Sequence, residues 1–148
     1  RAACEMVPIN VLQFHGDESE EFCKSFHRPY VKALAVNESF DLLQSGLQYA
    51  TAAALLLDTP SAGHGGSGKT FNWQLINTTN KPSATAPRLV LSGGLTAANV
   101  ADAVSAVHPF AVDVSSGVEI SRGVKSSELI QDFCRAVRAA DHSFSRSG

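Results

Sequence analysis

The sequence predicts an α/β fold built on a parallel sheet, and three observations carry that prediction. Short apolar runs alternate with amphipathic stretches through five strand-then-helix units, the order that parallel strands with helical crossovers produce. The strand runs are almost continuously apolar, as expected where both faces of a sheet are covered. The Gly- and Ser-rich segments follow strands rather than precede them. An open doubly wound sheet and a (β/α)₈ barrel both fit this pattern. A complete barrel needs at least roughly 200 residues, more than the 148 present.

Ile9–Phe14 reads as the first strand and ends at His15-Gly16-Asp17. Residues 18–26 then place Phe22, Cys23 and Phe26 on one helical face. Tyr30–Val36 is the second strand, and Asn37 or Ser39 is expected to cap a helix carrying Phe40, Leu43 and Leu47. Ala53–Leu57 is a compact apolar strand that stops at Asp58. A Gly/Ser-rich loop from Thr59 to Thr70 leads to a short helix around Trp73–Asn77, and Lys81–Pro87 is a polar link. Leu89–Leu91 is the fourth strand, followed by Ser92-Gly93-Gly94. Thr96 is the expected N-cap of a helix from Ala97 to Val107, with Val100, Val104 and Val107 sharing a face. Phe110–Val114 is the fifth strand and runs into Ser115-Ser116-Gly117. The final helix spans Ser127–Ala140, which closes the folded region at residues 1–140 and leaves 141–148 as a polar, frayed tail.

Composition narrows the function classes. A net charge of −2 argues against a nucleic-acid surface. No apolar run approaches the roughly 20 residues of a membrane-spanning helix. Three cysteines fit a reducing, cytosolic setting better than a disulfide scaffold, and Cys4, Cys23 and Cys134 read as packing residues. The chain begins at Arg1, with Met6 its only methionine and no signal-peptide pattern, so the sequence reads as starting inside a longer protein.

The polar residues cluster where strands end: His15-Gly16-Asp17, Asp58, Ser92-Gly93-Gly94 and Ser115-Ser116-Gly117. In parallel α/β folds that is the ligand end. Glycine lets backbone N–H groups approach an anion, and a helix N-terminus adds partial positive charge. The two loops Gly93-Gly94 and Ser115-Ser116-Gly117 together therefore point to a phosphate cradle, although each alone is also an ordinary tight βα turn. Gly63–Thr70 matches the P-loop pattern, with Lys69 and Thr70 in the phosphate and Mg²⁺ positions. Its separation from the preceding strand favours a Gly-rich lid instead. Asp58 closes an apolar strand, where a carboxyl can serve as a general acid or simply cap a turn. His15 is a ligand-facing imidazole or a turn histidine. Asp113 lies inside FAVDV and needs a partner or a polar cavity.

Six segments in series, LQFHGDE (12–18), RPYVKAL (28–34), LLLDT (55–59), GGSGKTFNW (65–73), LSGGLTAANV (91–100) and AVDVSSGVE (111–119), resemble phosphoribosylanthranilate isomerase of tryptophan biosynthesis. The resemblance implies a (β/α)₈ TIM-barrel family fold, with the five strands here standing as its fourth to eighth and the first three βα units missing. It implies an Amadori rearrangement of N-(5-phosphoribosyl)anthranilate without metal or cofactor, acting on a small phosphorylated substrate with no nucleic-acid or membrane partner.

By position, the resemblance makes Asp58 the general acid and Gly93, Gly94, Ser115, Ser116 and Gly117 the phosphate loops. Gly65, Gly66, Ser67, Gly68 and Lys69 become the flexible loop after the sixth strand, and His15 and Asp113 line the substrate pocket. The family's general base is a Cys ending the first strand, in a motif resembling Lys-x-Cys-Gly, and it has no counterpart here. Neither has the Arg expected after the second strand to pair with the anthranilate carboxylate. Asn72 stands where the family usually has Asp. The expectation is half a mechanism, inactive alone. It calls for a complementing N-terminal segment or a fused parent, with a non-catalytic phosphate-binding fragment or a P-loop nucleotide binder as the rival readings.

Overall fold

A computed structural model describes residues 6–58, Trp73, Ile76 and 87–144. Five parallel strands form one sheet in sequential order: β1 (Leu12–Phe14), β2 (Tyr30–Ala35), β3 (Ala54–Asp58), β4 (Arg88–Ser92) and β5 (Ala111–Val112). Helices α1 (Glu20–Lys24) and α2 (Leu42–Gln48) follow β1 and β2, α3 (Val100–Val107) follows β4, and α4 (Ser127–Phe144) closes the chain. The expected alternation holds for the four units whose strand and helix are both described, and each strand lies beside its predecessor; the short helix expected around Trp73–Asn77 lies largely outside the described residues. The segment expected to carry the Gly-rich loop, and with it Gly65–Lys69 and the P-loop pattern, lies outside the described residues.

The core lies between the sheet and the helices. Phe14, Tyr30, Leu55, Leu57, Leu89 and Leu91 pack with Cys23 of α1, Leu42 of α2, Val100, Ala103, Val104 and Val107 of α3, and Phe133 and Ala140 of α4. Side chains alternate along a strand, so Ala33, Ala54 and Leu56 face the other way. They are buried but belong to no part of this helix-facing cluster.

Several boundaries differ from the sequence-based expectation, each for a local reason. β1 starts at Leu12 rather than Ile9. Pro29 precedes β2 and has no N–H for the ladder, while the Arg28 guanidinium takes the Ile9 carbonyl at 2.9 Å. Asp41, not Asn37 or Ser39, caps α2, accepting from the Gln44 amide at 3.0 Å. Asn37 instead accepts from the Ser39 amide and hydroxyl. The buried positions of α2 are consequently Leu42 and Gly46, while Leu43 and Leu47 are exposed. On α1, Cys23 is buried but Phe22 is half exposed, its ring edge-on to Phe14.

α3 begins at Val100, after a turn closed by the bond from the Val100 amide to the Thr96 carbonyl, and Thr96 is not its cap. β5 is shorter than Phe110–Val114, although the Phe110 and Asp113 amides still bond to Leu89 and Leu91. α4 runs to Phe144, so residues 141–144 are helical rather than part of a polar tail. Cys134 is exposed on α4 and is not a packing residue. A two-stranded antiparallel hairpin, β6 (Glu119–Ser121) and β7 (Val124–Lys125), follows β5.

Leu57 is fully buried on the helix-covered face. Leu57→Ala is expected to cost about 2–5 kcal/mol, read as a lower urea midpoint at unchanged slope.

Candidate functional site

Strand register decides which side chains meet at the C-terminal edge of the sheet. Ala35 pairs with Asp58, and Asp58 with Ser92. Val90 pairs with Ala111, so Asp113 falls level with Ser92, two residues further along each strand. Ala35, Asp58, Ser92 and Asp113 therefore form one row on the face the helices leave uncovered. A cavity of about 660 Å³ opens above it, lined in part by Asn37, Asp58, Ser92, Gly93, Gly94, Asp113, Ser115, Ser116 and Gly117.

Asp113 has the partner its position in FAVDV calls for, since the Ser92 hydroxyl donates to its carboxylate at 3.1 Å. His15, at the end of β1, places Nε2 3.7 Å from Asp58 Oδ2, with both side chains accessible to solvent. Asp58 thus sits between an imidazole on one side and the Ser92–Asp113 pair on the other.

The two glycine loops meet beside this row. Gly93 and Gly94 have φ of 85° and 59°, a region that L side chains rarely adopt. The Asn99 amide group braces that loop, donating to the Gly94 carbonyl at 3.0 Å and accepting from the Thr96 amide at 2.8 Å. α3 begins immediately after Asn99.

Gly117 lies in a 3₁₀ turn, Ser116–Val118. A Cβ there would stand 1.8 Å from the Leu95 carbonyl oxygen, so the loops after β4 and β5 touch backbone to backbone. Lys125 ties down the second loop from below. Its ammonium donates to the Ser115 carbonyl at 2.8 Å, to the Ser115 hydroxyl at 3.2 Å and to Glu119 at 2.7 Å. Glu119 also accepts from the Gly123 amide at 3.0 Å. The Lys125 ammonium, seconded by that amide, holds the Glu119 carboxyl below its ordinary range against a smaller opposing effect of burial.

All seven described residues expected to act as acid, phosphate grip or Asp113-type lining converge on this one cavity, and His15 adjoins it through Asp58. Among the described residues, no group of three or more His, Cys, Asp or Glu side chains could hold a metal ion. Neither described cysteine lines the cavity. Two contributors escaped the sequence reading: Asn99, which braces the loop after β4, and the Lys125–Glu119 pair, which anchors the loop after β5.

A row of polar groups at the C-terminal edge of a parallel sheet, beside two glycine loops, defines a protein of the (β/α) repeat class with a candidate ligand site at that edge. The sequence profile of N-(5'phosphoribosyl)anthranilate (PRA) isomerase matches residues 2–136, and the chain belongs to that family. The N-(5'-phosphoribosyl)anthranilate isomerase of Methylibium petroleiphilum is 51% identical over 140 residues, covering 95% of this chain and 63% of the relative. That of Dechloromonas aromatica is 52% identical over 143 residues, covering 97% and 66%. The crystal structure of phosphoribosyl anthranilate isomerase from Thermotoga maritima superposes with a TM-score of 0.75 at 38% identity, over 93% of this chain and 66% of that one. Another solved isomerase, in complex with reduced 1-(o-carboxyphenylamino)-1-deoxyribulose 5-phosphate, gives 0.74 at 34% identity. The chain thus spans a little under two thirds of the length of these relatives. No described helix is long and apolar enough to cross a membrane.

Two outcomes follow from the loop geometry. Gly117→Ala must push the Leu95 carbonyl aside, so the Gly93, Gly94 and Ser116 amide resonances should move from their places in the unaltered chain. The Leu57 and Leu91 methyl resonances should stay in place. Glu119 titrates below its unfolded value, so the stability it contributes is complete above pH 4.5 and is lost as pH falls through the lower folded value. The Gly123 amide resonance should therefore titrate below pH 4.5 and should stop doing so in Glu119→Gln.

Proposed function

We propose that this chain carries the general acid and the phosphate grip of an isomerase converting N-(5-phosphoribosyl)anthranilate to 1-(2-carboxyphenylamino)-1-deoxyribulose 5-phosphate. The observation that carries this reading is the convergence of Asp58 and the two glycine loops on one cavity of substrate size. Family membership supplies the reaction class.

In this reading the loops of Gly93-Gly94 and Ser115-Ser116-Gly117 hold the 5-phosphate through backbone N–H groups and the α3 N-terminus. The remaining sugar extends over the row of Asp58, Ser92 and Asp113. Asp58 protonates the furanose ring oxygen as the C1–O bond breaks, and the nitrogen lone pair forms the C1 iminium. A base then removes the C2 proton, and the C2–H electron pair moves to make the enolamine, which tautomerises to the ketone. Proton transfers alone complete the rearrangement, so no metal or cofactor takes part. His15 and Asp113 line the pocket, His15 setting the surroundings of the Asp58 carboxyl.

In this reading the base is a Cys on a further strand, outside the five described ones. The five strands correspond to the fourth to eighth of the barrel, and a complementing segment, or the rest of a larger cytoplasmic parent, supplies the first three. β1 and β5 end the sheet, each with one unpaired edge among the described residues, which is where such a segment would pair. The position of both described cysteines away from the cavity favours this division of labour over a base within the described residues.

The test is disappearance of phosphoribosylanthranilate fluorescence. The chain alone should perform no better than Asp58→Asn. Refolded with the first three βα units of a relative it should turn over, and Asp58→Asn should lower that rate by about 10²–10⁴-fold. Turnover by the chain alone would refute the need for a complement. Turnover indifferent to Asp58 would refute its role as the acid.

A further inference from the structure

Lys32 is the feature that the reading above leaves unused. It lies in the middle of β2, opposite Phe14 on one side and Leu55 on the other, on the face that packs against the helices. Its side chain is 1% exposed. A charge in that position is costly unless it is fully partnered, and an apolar residue of similar length would fill the space equally well.

The ammonium is partnered, and two of its three hydrogen-bond partners lead to one place. It donates to the Gly16 carbonyl at 2.5 Å, to Glu18 Oε2 at 3.2 Å and to the Ala33 carbonyl at 3.2 Å. Glu18 Oε2 in turn accepts from the Gly16 amide at 2.9 Å. Both backbone polar groups of Gly16 are thereby fixed, one by the lysine and one by its counter-ion. The Tyr49 hydroxyl donates to the Glu18 carbonyl at 3.0 Å, and its ring lies 5.6 Å from the ammonium. The residue directly before Gly16 is His15, whose imidazole faces Asp58.

We propose that Lys32 is a positioning residue for the site: by gripping Gly16 and Glu18 from the far face of the sheet, it sets where the His15 imidazole stands against Asp58. The proposal rests on Asp58 and His15 belonging to the site described above. It gives the buried charge a role that packing alone does not require. β1 is an edge strand of the described sheet, so among the described residues no loop from a further strand holds residues 15–17 from outside. The Glu18 carboxyl fits the same picture. Its own backbone N–H lowers its pKa most, partial burial opposes this, and the Gly16 amide and Lys32 reinforce it, which favours the carboxylate form of Glu18.

The experiment follows the His15 imidazole carbon–proton cross-peak by NMR in the 148-residue chain. Asp58→Asn first marks where that peak falls when the His15–Asp58 approach is lost. Lys32→Met and Glu18→Gln should each move the His15 peak towards that position while the Leu57 methyl resonances stay put. Glu18→Gln removes the counter-charge at a partly exposed side chain, so it decides the matter if Lys32→Met does not fold. A His15 peak unmoved in a folded variant would overturn the proposal, reducing Lys32 to a packing element. Inorganic phosphate titrated into the same samples should still shift the Gly93 and Ser116 amides. Failure of the unaltered chain to bind it would count against the isomerase reading, while the His15 peak would still decide the role of Lys32.

Discussion

Every site residue owes its position to the in-register parallel pairing of five strands. Because side chains alternate along each strand, that pairing assigns Leu55, Leu57, Leu89 and Leu91 to the helix-covered core. It assigns Asp58 and Ser92, each one residue beyond an apolar neighbour, to the opposite face. A slip of one residue at β3 would drive Asp58 into the hydrophobic layer and bring Leu57 out beside Ser92. The apolar burial that stabilises the sheet therefore also fixes the row of polar groups at its end. Folding and site assembly are here the same event, since the alternative register loses both.

The strands bring polar groups to one level, but they do not join the two glycine loops. That step depends on the contact of Gly117 with the Leu95 backbone, which brings the loops after β4 and β5 into a single cradle. Gly93 and Gly94 contribute differently, through backbone angles that turn the chain between β4 and α3. One glycine is required for close approach and two for conformation, so the three are not interchangeable in what their replacement would disturb.

How much of this was readable from the chain follows from which interactions are local. The order of strands, the core faces of β3, β4 and α3, and the polar clusters at strand ends all follow from short-range patterns in the sequence. The α2 face was misjudged because its cap is Asp41 rather than a residue earlier in the NESFD stretch, and a shift of the helix start rotates every later side chain. Thr96 looked like a cap by residue type, but the Asn99 side chain takes the Thr96 amide and begins the helix later. The β6–β7 hairpin and Lys125 were missed because the strands are very short and the anchor reaches ten residues back to Ser115. Lys32 was legible as an anomaly in an apolar strand, but its partners, 14 and 16 residues away, appear only once the fold brings β1 and β2 together.

The two lysines answer a problem set by the sheet's edges. A loop after a central strand has neighbours on both sides, and the loop after β4 is held by Asn99 and by contact with Gly117. The loops after β1 and β5 each have a neighbour on one side only within the described sheet. In both, a lysine bonded to a glutamate reaches a backbone carbonyl of the loop, Gly16 in one case and Ser115 in the other. The pairs differ in burial, and this separates what they do. Lys125 remains 44% exposed, where an ion pair adds little to stability, so its effect is chiefly on where Ser115 sits. Lys32 is sealed in the core, where removing one partner strands a charge, so stability and position are joined in it. That coupling is why the consequence of altering Lys32 has to be read at His15, a group it does not touch, and not from unfolding alone.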